Sequence, residues 1–200
     1  MTDMVAEGRI REERYATYLL ILSEVEALEP LDPPEVRMYA CGLTVYNRGH
    51  VGNYRTMVTS DVLRRTLRHL GYRVNGVLNI TDVDDKLIRK SEEKGISMAE
   101  LAEQITRDYL DNLAAVGVDQ IDLMPKATDN MGEIIAFTQS LIQQGFAYEA
   151  GGDVFFDVGK DAEYGKLTNR TVDNLQGEGG EAAAKKRSPA DFALWKAAKP

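Results

Sequence analysis

The chain has 200 residues, 44% of them apolar and 28% charged, with a formal net charge of −8. This is the composition of a soluble globular protein long enough for one sizeable domain, or a domain carrying a smaller insert, and no run approaches the roughly 18 apolar residues of a membrane span. The acidic balance argues against broad electrostatic binding to nucleic acid, and the single cysteine, Cys41, excludes an internal disulfide and fits a reducing compartment.

Residues 1–30 are rich in Glu and Arg, with one amphipathic turn over 15–25, and read as a surface helix or a partly ordered N-terminal extension. The apolar stretch at 18–22 is followed at once by Glu24 and Glu26, so it lacks the core and cleavage site of a signal peptide, which predicts a cytoplasmic protein. In "LDPPEVRMYACG" the two prolines break any helix, and the apolar run 36–41 predicts a short buried strand ended by Gly42.

From 51 to 70 the positions Val51, Tyr54, Val58, Val62, Leu63, Leu67 and Leu70 recur at steps of three and four, with Asp61 and Arg65 as an i,i+4 pair, which predicts a helix closed by Gly71. "YRVNGVLNIT" supplies a second strand, completing a β-loop-α-β unit of the kind that builds a parallel sheet. "DVDDKLIRKSEEKG" passes from a strand end into a helix; Ser97 and Glu100 then open another as a capping box, running through Leu101, Ile105, Tyr109 and Leu113 to Gly117.

A further helix is predicted from Asp129 through Ile134, Ile135, Leu141 and Ile142 to Gly145, and "AYEAGGDVFFDV" reads as a hairpin turning at Gly151-Gly152. Residues 175–187 have the Gly-, Ala- and charge-rich composition of a loop, and "SPADFALWKAAKP" reads as the start of a short helix with Ser188 as cap and Pro189 at its first position. No internal repeat is present. The reading is an α/β fold organised as 1–30, an extension; 31–124, the first half of a Rossmann-like nucleotide-binding domain; and 125–200, an α+β connective insert with a return segment. Two parallel strands make too small a sheet to be complete, which leaves an edge for a partner to cover.

Ligands of open α/β sheets bind beyond the carboxyl ends of the strands, at helix N-termini where backbone N–H groups and the dipole attract phosphate. Cys41 ends the first strand there, and His50 opens the first helix, with Gly52 allowing close approach to the backbone. Asp82, Asp84 and Asp85 suit either a divalent cation or the capping of a helix start. Arg64, Arg65, Arg68 and Arg73, and the run Lys185 to Arg187, form either basic binding faces or solvated surface.

The stretch "MYACGLTVYNRGHVGNYRTMVTSDVLRRTLRHLGYRVNGVLNITDVDDKLI" resembles the N-terminal catalytic segment of bacterial cysteinyl-tRNA synthetases, a class I family. Their pattern is M-Y-x-C-G-x-T-V-Y, a H-I-G-H or H-I-G-N signature, then N-x-T-D-x-D-D-K. The likeness runs on through "PKATDNMGEIIAFTQSLIQQGFAYEAGGDVFFDV" and "YGKLTNR" to "SPADFALWK", over about residues 31–199. It implies a Rossmann-type domain that activates cysteine with ATP and magnesium to an adenylate and transfers it to tRNA(Cys).

On that resemblance His50 and Asn53 are the catalytic residues, matching the first and last positions of the signature, and Gly42, His50, Gly52 and Asn53 face ATP. Cys41, Thr44, Thr81 and Trp195 face the cysteine substrate, although each also has a structural reading as a strand-end or core residue. Cys41 matches a zinc ligand through which the family takes the substrate thiolate. A tetrahedral site needs at least three side chains, and with no second cysteine, and His50 and His69 poorly placed, Cys41 alone reads as unmetallated.

The sequence departs from the pattern as well. The K-M-S-K-S signature, the second half of the nucleotide fold and an anticodon-binding domain are not found, Leu43 stands where proline or isoleucine is usual, and residues 1–22 have no counterpart. These departures predict weak or no activity for these 200 residues alone, and weak tRNA recognition. They leave two alternatives: a cysteine ligase acting on a small amine such as an aminosugar, or a non-catalytic relative binding a nucleotide or a partner protein.

Overall fold

Strand β1 (Glu35–Ala40) and strand β2 (Arg73–Leu78) lie parallel in the computed structural model of the chain, in register from Glu35 opposite Arg73 to Ala40 opposite Leu78. The structure describes residues 28–166 and 183–198. The helical turn expected at 15–25 and most of the loop expected at 175–187 lie outside them.

Helix α1 (Val51–His69) joins the two strands over the predicted span, although of the apolar positions read there Val51, Val58 and Val62 are exposed. It buries Met57, Asp61, Arg64 and Leu67. Gly71, at φ 93°, lets the chain reverse in a conformation that a Cβ would strain. Helices α2 (Asp85–Lys94) and α3 (Met98–Ala115) follow, capped by Asp84 and by Ser97, whose hydroxyl accepts from the Glu100 N–H at 3.1 Å. One core unites them: Val45, Met57, Leu78, Ile80, Leu87, Leu101, Ile105, Tyr109 and Leu113 are all buried together. Burying such side chains contributes about 1.5–3 kcal/mol each and is what holds short strands against long helices.

Beyond α3 the chain runs alongside β2, with parallel bridges between Val77 and Leu123 and between Ile80 and Lys126. β2 is therefore flanked on both sides, an arrangement that "IDLMPKA" gave no period to foresee. The pair Asp61–Arg65 forms as expected, at 2.6 Å, and Asp61 also bonds the buried Arg64.

The basic face on α1 is not free. Arg65 bonds Asp119 and the Gly117 carbonyl, Arg68 bonds both oxygens of Asp122, and Arg73 pairs with Glu35 at 2.6 Å. These arginines tie α1 and β2 to neighbouring chain segments and so are not simply a solvated stripe.

The chain divides into two compact units, Met1–Asp129 and Asn130–Pro200. The second holds helix α4 (Met131–Gln143) and an antiparallel sheet of β3 (Ala147–Ala150), β4 (Asp153–Phe156) and β5 (Phe192–Trp195) in that order. The predicted hairpin is present: Gly151 and Gly152 have φ of 59° and 82°, the mirror-image turn that suits the strand twist.

The helix predicted from Ser188 is corrected to a turn and a strand. The Ser188 hydroxyl does cap, but it accepts from Ala190 N–H within a tight turn. The fully buried Asp191 then fixes that turn by accepting from Ser188 N–H, Val158 N–H and the Tyr148 hydroxyl. With the turn closed, "FALW" is free to pair with β4, where Phe192 stacks on Phe156. Lys185 and Arg187 are likewise engaged: Lys185 bonds Asp153 at 2.8 Å and the Gly151 carbonyl, and Arg187 lies 4.0 Å over the Tyr148 ring.

Candidate active site

The turn after β1 and the first turn of α1 enclose an open cleft of about 320 Å³ lined by Gly42, Leu43, Thr44, Tyr46, Asn47, Arg48, His50, Asn53 and Lys86. Four of the residues singled out from the sequence, Gly42, Thr44, His50 and Asn53, thus meet in one place. Gly52 lies beside His50, while Cys41 and Thr81 are neighbours in chain and sheet rather than lining residues.

His50 and Asn53 form a reciprocal cap on α1. The His50 imidazole accepts the Gly52 N–H at Nδ1, 3.1 Å away, and Asn53 Oδ1 accepts the His50 N–H at 2.9 Å. Two side chains able to act either as donor or as acceptor are thereby given one polarity. With Nδ1 accepting, the imidazole hydrogen sits on Nε2, and with Oδ1 accepting, the donor half of the Asn53 amide is left over. Both hydrogens belong to side chains that line the cleft. The first turn of α1 contains no acidic residue to neutralise the positive end of the helix dipole. Such an arrangement can hold an anion.

Glycines allow this geometry. A Cβ at Gly52 would stand 2.9 Å from His50 Cε1, and one at Gly49 would stand 2.8 Å from the Tyr54 hydroxyl, so the turn folds over the Tyr54 ring. A Cβ at Gly42 would lie 1.7 Å from the Asn79 carbonyl oxygen. Gly42 therefore matters less as a ligand donor than as a place where two strand ends touch, and its N–H is already bonded to Asn79 Oδ1 at 2.7 Å.

Asn79 was not singled out from the sequence, yet it organises this end of the sheet. Its amide accepts from Gly42 and donates to Thr81 Oγ1 at 3.0 Å. Thr44 and Thr81 then stand as a parallel bridge, with Val45 N–H donating to the Thr81 carbonyl and Thr81 N–H to that of Leu43. Asn79 opens the N-x-T-D-x-D-D-K motif, but the spacing does not tell its role, because its partner lies 37 residues earlier.

Tyr46, Arg48 and Lys86 were also missed. Lys86 Nζ lies 5.4 Å from the Tyr46 ring centroid, and Arg48 reaches Asp108 at 3.5 Å. Beneath the turn, Tyr109 is pushed up to about 12 by burial first and then by the neighbouring Tyr54 and Cys41. Tyr54 is raised by burial and by Asp108, against the opposing influence of Asn112 and Arg48.

Two of the three aspartates resolve toward structure. Asp82 is buried and accepts from both the N–H and the hydroxyl of Thr128, and Asp84 caps α2 through the Lys86 N–H at 2.8 Å. Cys41 is exposed, and among the described residues no three His, Cys, Asp or Glu side chains are grouped to hold a metal ion. The described residues thus do not compose a zinc site. Trp195 lies in the second unit, half-buried at the end of β5 opposite Val154. No described helix is long and apolar enough to cross a membrane.

Comparison with known proteins gives a concordant picture. The family model for the class I (C) tRNA synthetase catalytic domain matches residues 27–200. The chain is 45% identical over 184 residues to a cysteine–tRNA ligase of Methanococcus maripaludis strain C7, covering 92% of this chain and 39% of that protein. It is 45% identical over 183 residues to that of Geobacillus sp. strain WCH70, covering 91% and 39%. With that of Bdellovibrio bacteriovorus it shares 47% over 178 residues, covering 88% and 37%. The chain thus spans about two fifths of the length of these relatives.

Among solved structures it resembles one described as an arginyl-tRNA synthetase from Campylobacter jejuni, with a TM-score of 0.50 and 14% identity over 72% of this chain and 44% of that one. It also resembles a leucyl synthetase, LeuRS, in a ternary complex from Agrobacterium radiobacter K84, with a TM-score of 0.50 and 14% identity over 74% and 20%. At that identity the two structures bear on the fold alone, and they share its α/β architecture.

Proposed function

This chain belongs to the class I (C) tRNA synthetase catalytic-domain family, and from that premise we propose that it carries the ATP- and cysteine-facing site of a cysteine–tRNA ligase. The reading rests on one observation above the others: Gly42, Thr44, His50 and Asn53 line a single cleft at the carboxyl end of a parallel strand pair.

In the proposed reaction the cysteine carboxylate attacks the α-phosphorus of ATP, forming cysteinyl-adenylate and releasing pyrophosphate. The cysteinyl group then passes to the 3′ end of tRNA(Cys), releasing AMP. In the activation step the nucleophile is a carboxylate, ionised before it binds, so no residue need remove a proton there; in the transfer step the tRNA hydroxyl gives up its proton as AMP leaves. Catalysis comes from alignment and from donors placed where charge gathers on phosphorus-bound oxygens. His50 Nε2–H and the Asn53 amide are those donors. Gly52, without a Cβ, lets the phosphates approach the helix start.

Thr44 and Thr81, paired across a parallel bridge, form with Cys41 the proposed cysteine-facing set of the first unit. Magnesium accompanies ATP as its counter-ion. We place the protein in the cytoplasm, where a lone exposed thiol such as Cys41 stays reduced.

Titration with ATP followed by calorimetry tests the reading. His50→Ala and Asn53→Ala should each weaken ATP binding by about tenfold, the loss of one charge-assisted hydrogen bond, without changing the folded circular-dichroism spectrum. Unaltered affinity in both variants would sink the assignment of this cleft.

A further inference from the structure

We infer that Lys86 is a further substrate-contacting residue, a cation held over Tyr46 at the rim of the cleft to receive the polyphosphate of the nucleotide. This deepens the proposed reading of the same site and rests on it. Lys86 lines the cleft together with His50 and Asn53. Its backbone is fixed by the Asp84 cap, so its stem starts from a set position on the first turn of α2.

Its ammonium lies 5.4 Å from the centroid of Tyr46, a half-buried ring packed against the main core. A ring face attracts a cation without neutralising it. This matters in a chain of net charge −8, where lysines readily find carboxylates. Lys90, Lys166 and Lys185 pair with Glu93, Glu163 and Asp153 at 2.7, 2.9 and 2.8 Å, whereas among the described residues Lys86, like Lys94 and Lys160, has no carboxylate ion pair, and of these three Lys86 alone lines the cleft.

The adjoining Asp84 and Asp85 do not line the cleft, and the other cation at its rim, Arg48, shares its charge with Asp108. The cleft thus presents two oriented neutral donors and one unneutralised charge. That combination suits a multiply charged phosphate chain better than a single carboxylate, whose one charge the helix start and its donors could already accommodate.

The test is calorimetric titration of the full chain with ATP, and separately with L-cysteine, at low and high salt. Lys86→Met should weaken ATP binding about tenfold and flatten its salt dependence, with L-cysteine affinity unchanged, and Lys86→Arg should restore ATP binding to within about threefold. Tyr46→Leu, which keeps the packing but removes the ring face, should weaken ATP binding by roughly two- to fivefold. Equal ATP affinity in Lys86→Met and the wild type would overturn the inference while leaving the site reading intact. Parallel loss of ATP and cysteine binding would overturn it as a purely structural effect, and absence of ATP binding by the wild type would overturn both.

Discussion

Replacing Gly42 by Ala should be among the most damaging single-methyl additions in this chain. The new Cβ would lie 1.7 Å from the Asn79 carbonyl oxygen, 2.9 Å from its carbon and 3.3 Å from Leu78 Cδ1. The first two atoms are backbone and cannot rotate away, so the strand ends must part by roughly 1–2 Å to restore ordinary contact. Separation stretches the Gly42 N–H bond to Asn79 Oδ1 at 2.7 Å and the paired bonds between Val45 and Thr81 and between Thr81 and Leu43, at 3.1 and 3.2 Å.

One lost hydrogen bond costs about 1 kcal/mol and overpacking about 1–3 kcal/mol, so the variant should lose about 2–4 kcal/mol. Urea unfolding measures the total, and amide hydrogen exchange at Val45 and Thr81 locates it. Gly132→Ala is the control: its Cβ meets nothing within 4 Å in α4, so it should stabilise by about 0.5–1 kcal/mol. A Gly42→Ala protein within about 0.5 kcal/mol of the wild type, with both amides still protected, would refute the argument that the strand ends touch there.

Asp61→Ala should destabilise by about 3–5 kcal/mol by leaving Arg64 charged and buried; urea unfolding reads this, and a loss under about 1 kcal/mol would mean that Arg64 finds water. Tyr109, raised to about 12, keeps its proton when folded while the unfolded chain releases it from about pH 10, so stability should fall with rising pH at up to about 1.4 kcal/mol per unit. Tyr109→Phe should lessen that slope, to which the raised Tyr54 and Tyr148 also contribute, and an unchanged alkaline profile would count against it. Asp153 is held below the ordinary 3.8 by its bond to Lys185 and then by the Ala197 N–H. Its stabilising effect is present above 3.8 and disappears as the pH falls through the lowered folded value, so Asp153→Asn should blunt acid unfolding of the second unit as followed by Trp195 fluorescence.

The parallel unit was legible in the sequence because each of its elements carries its own period. The steps of three and four along 51–70 could belong only to a helix, and Gly71 and Gly151-Gly152 mark reversals that need positive φ. What sequence could not supply were partners far along the chain. Arg65 and Arg68 read as a basic stripe because Gly117, Asp119 and Asp122, which occupy them, lie some fifty residues later. The helix start at Ser188 failed for a related reason: Ser-Pro is a sound local signal, but Asp191 is recruited by Tyr148 and Val158, more than thirty residues earlier. Asn79 went unnoticed on the same account.

The pairing of His50 with Asn53 shows why spacing alone can reveal a site while leaving its polarity unread. Three residues apart at a helix start, the two side chains reach each other's end of the first turn, and any pair with acceptors could cap there. A Ser and a Glu would satisfy the same backbone donors but leave behind a hydroxyl and a carboxylate oxygen, and the latter repels phosphate. An imidazole and a carboxamide each carry a second group of opposite kind, so using the acceptor for the cap frees a donor toward the cleft. The cap therefore orders the helix and sets the sign of what it can bind, and Asn53→Asp should keep the first property while reversing the second.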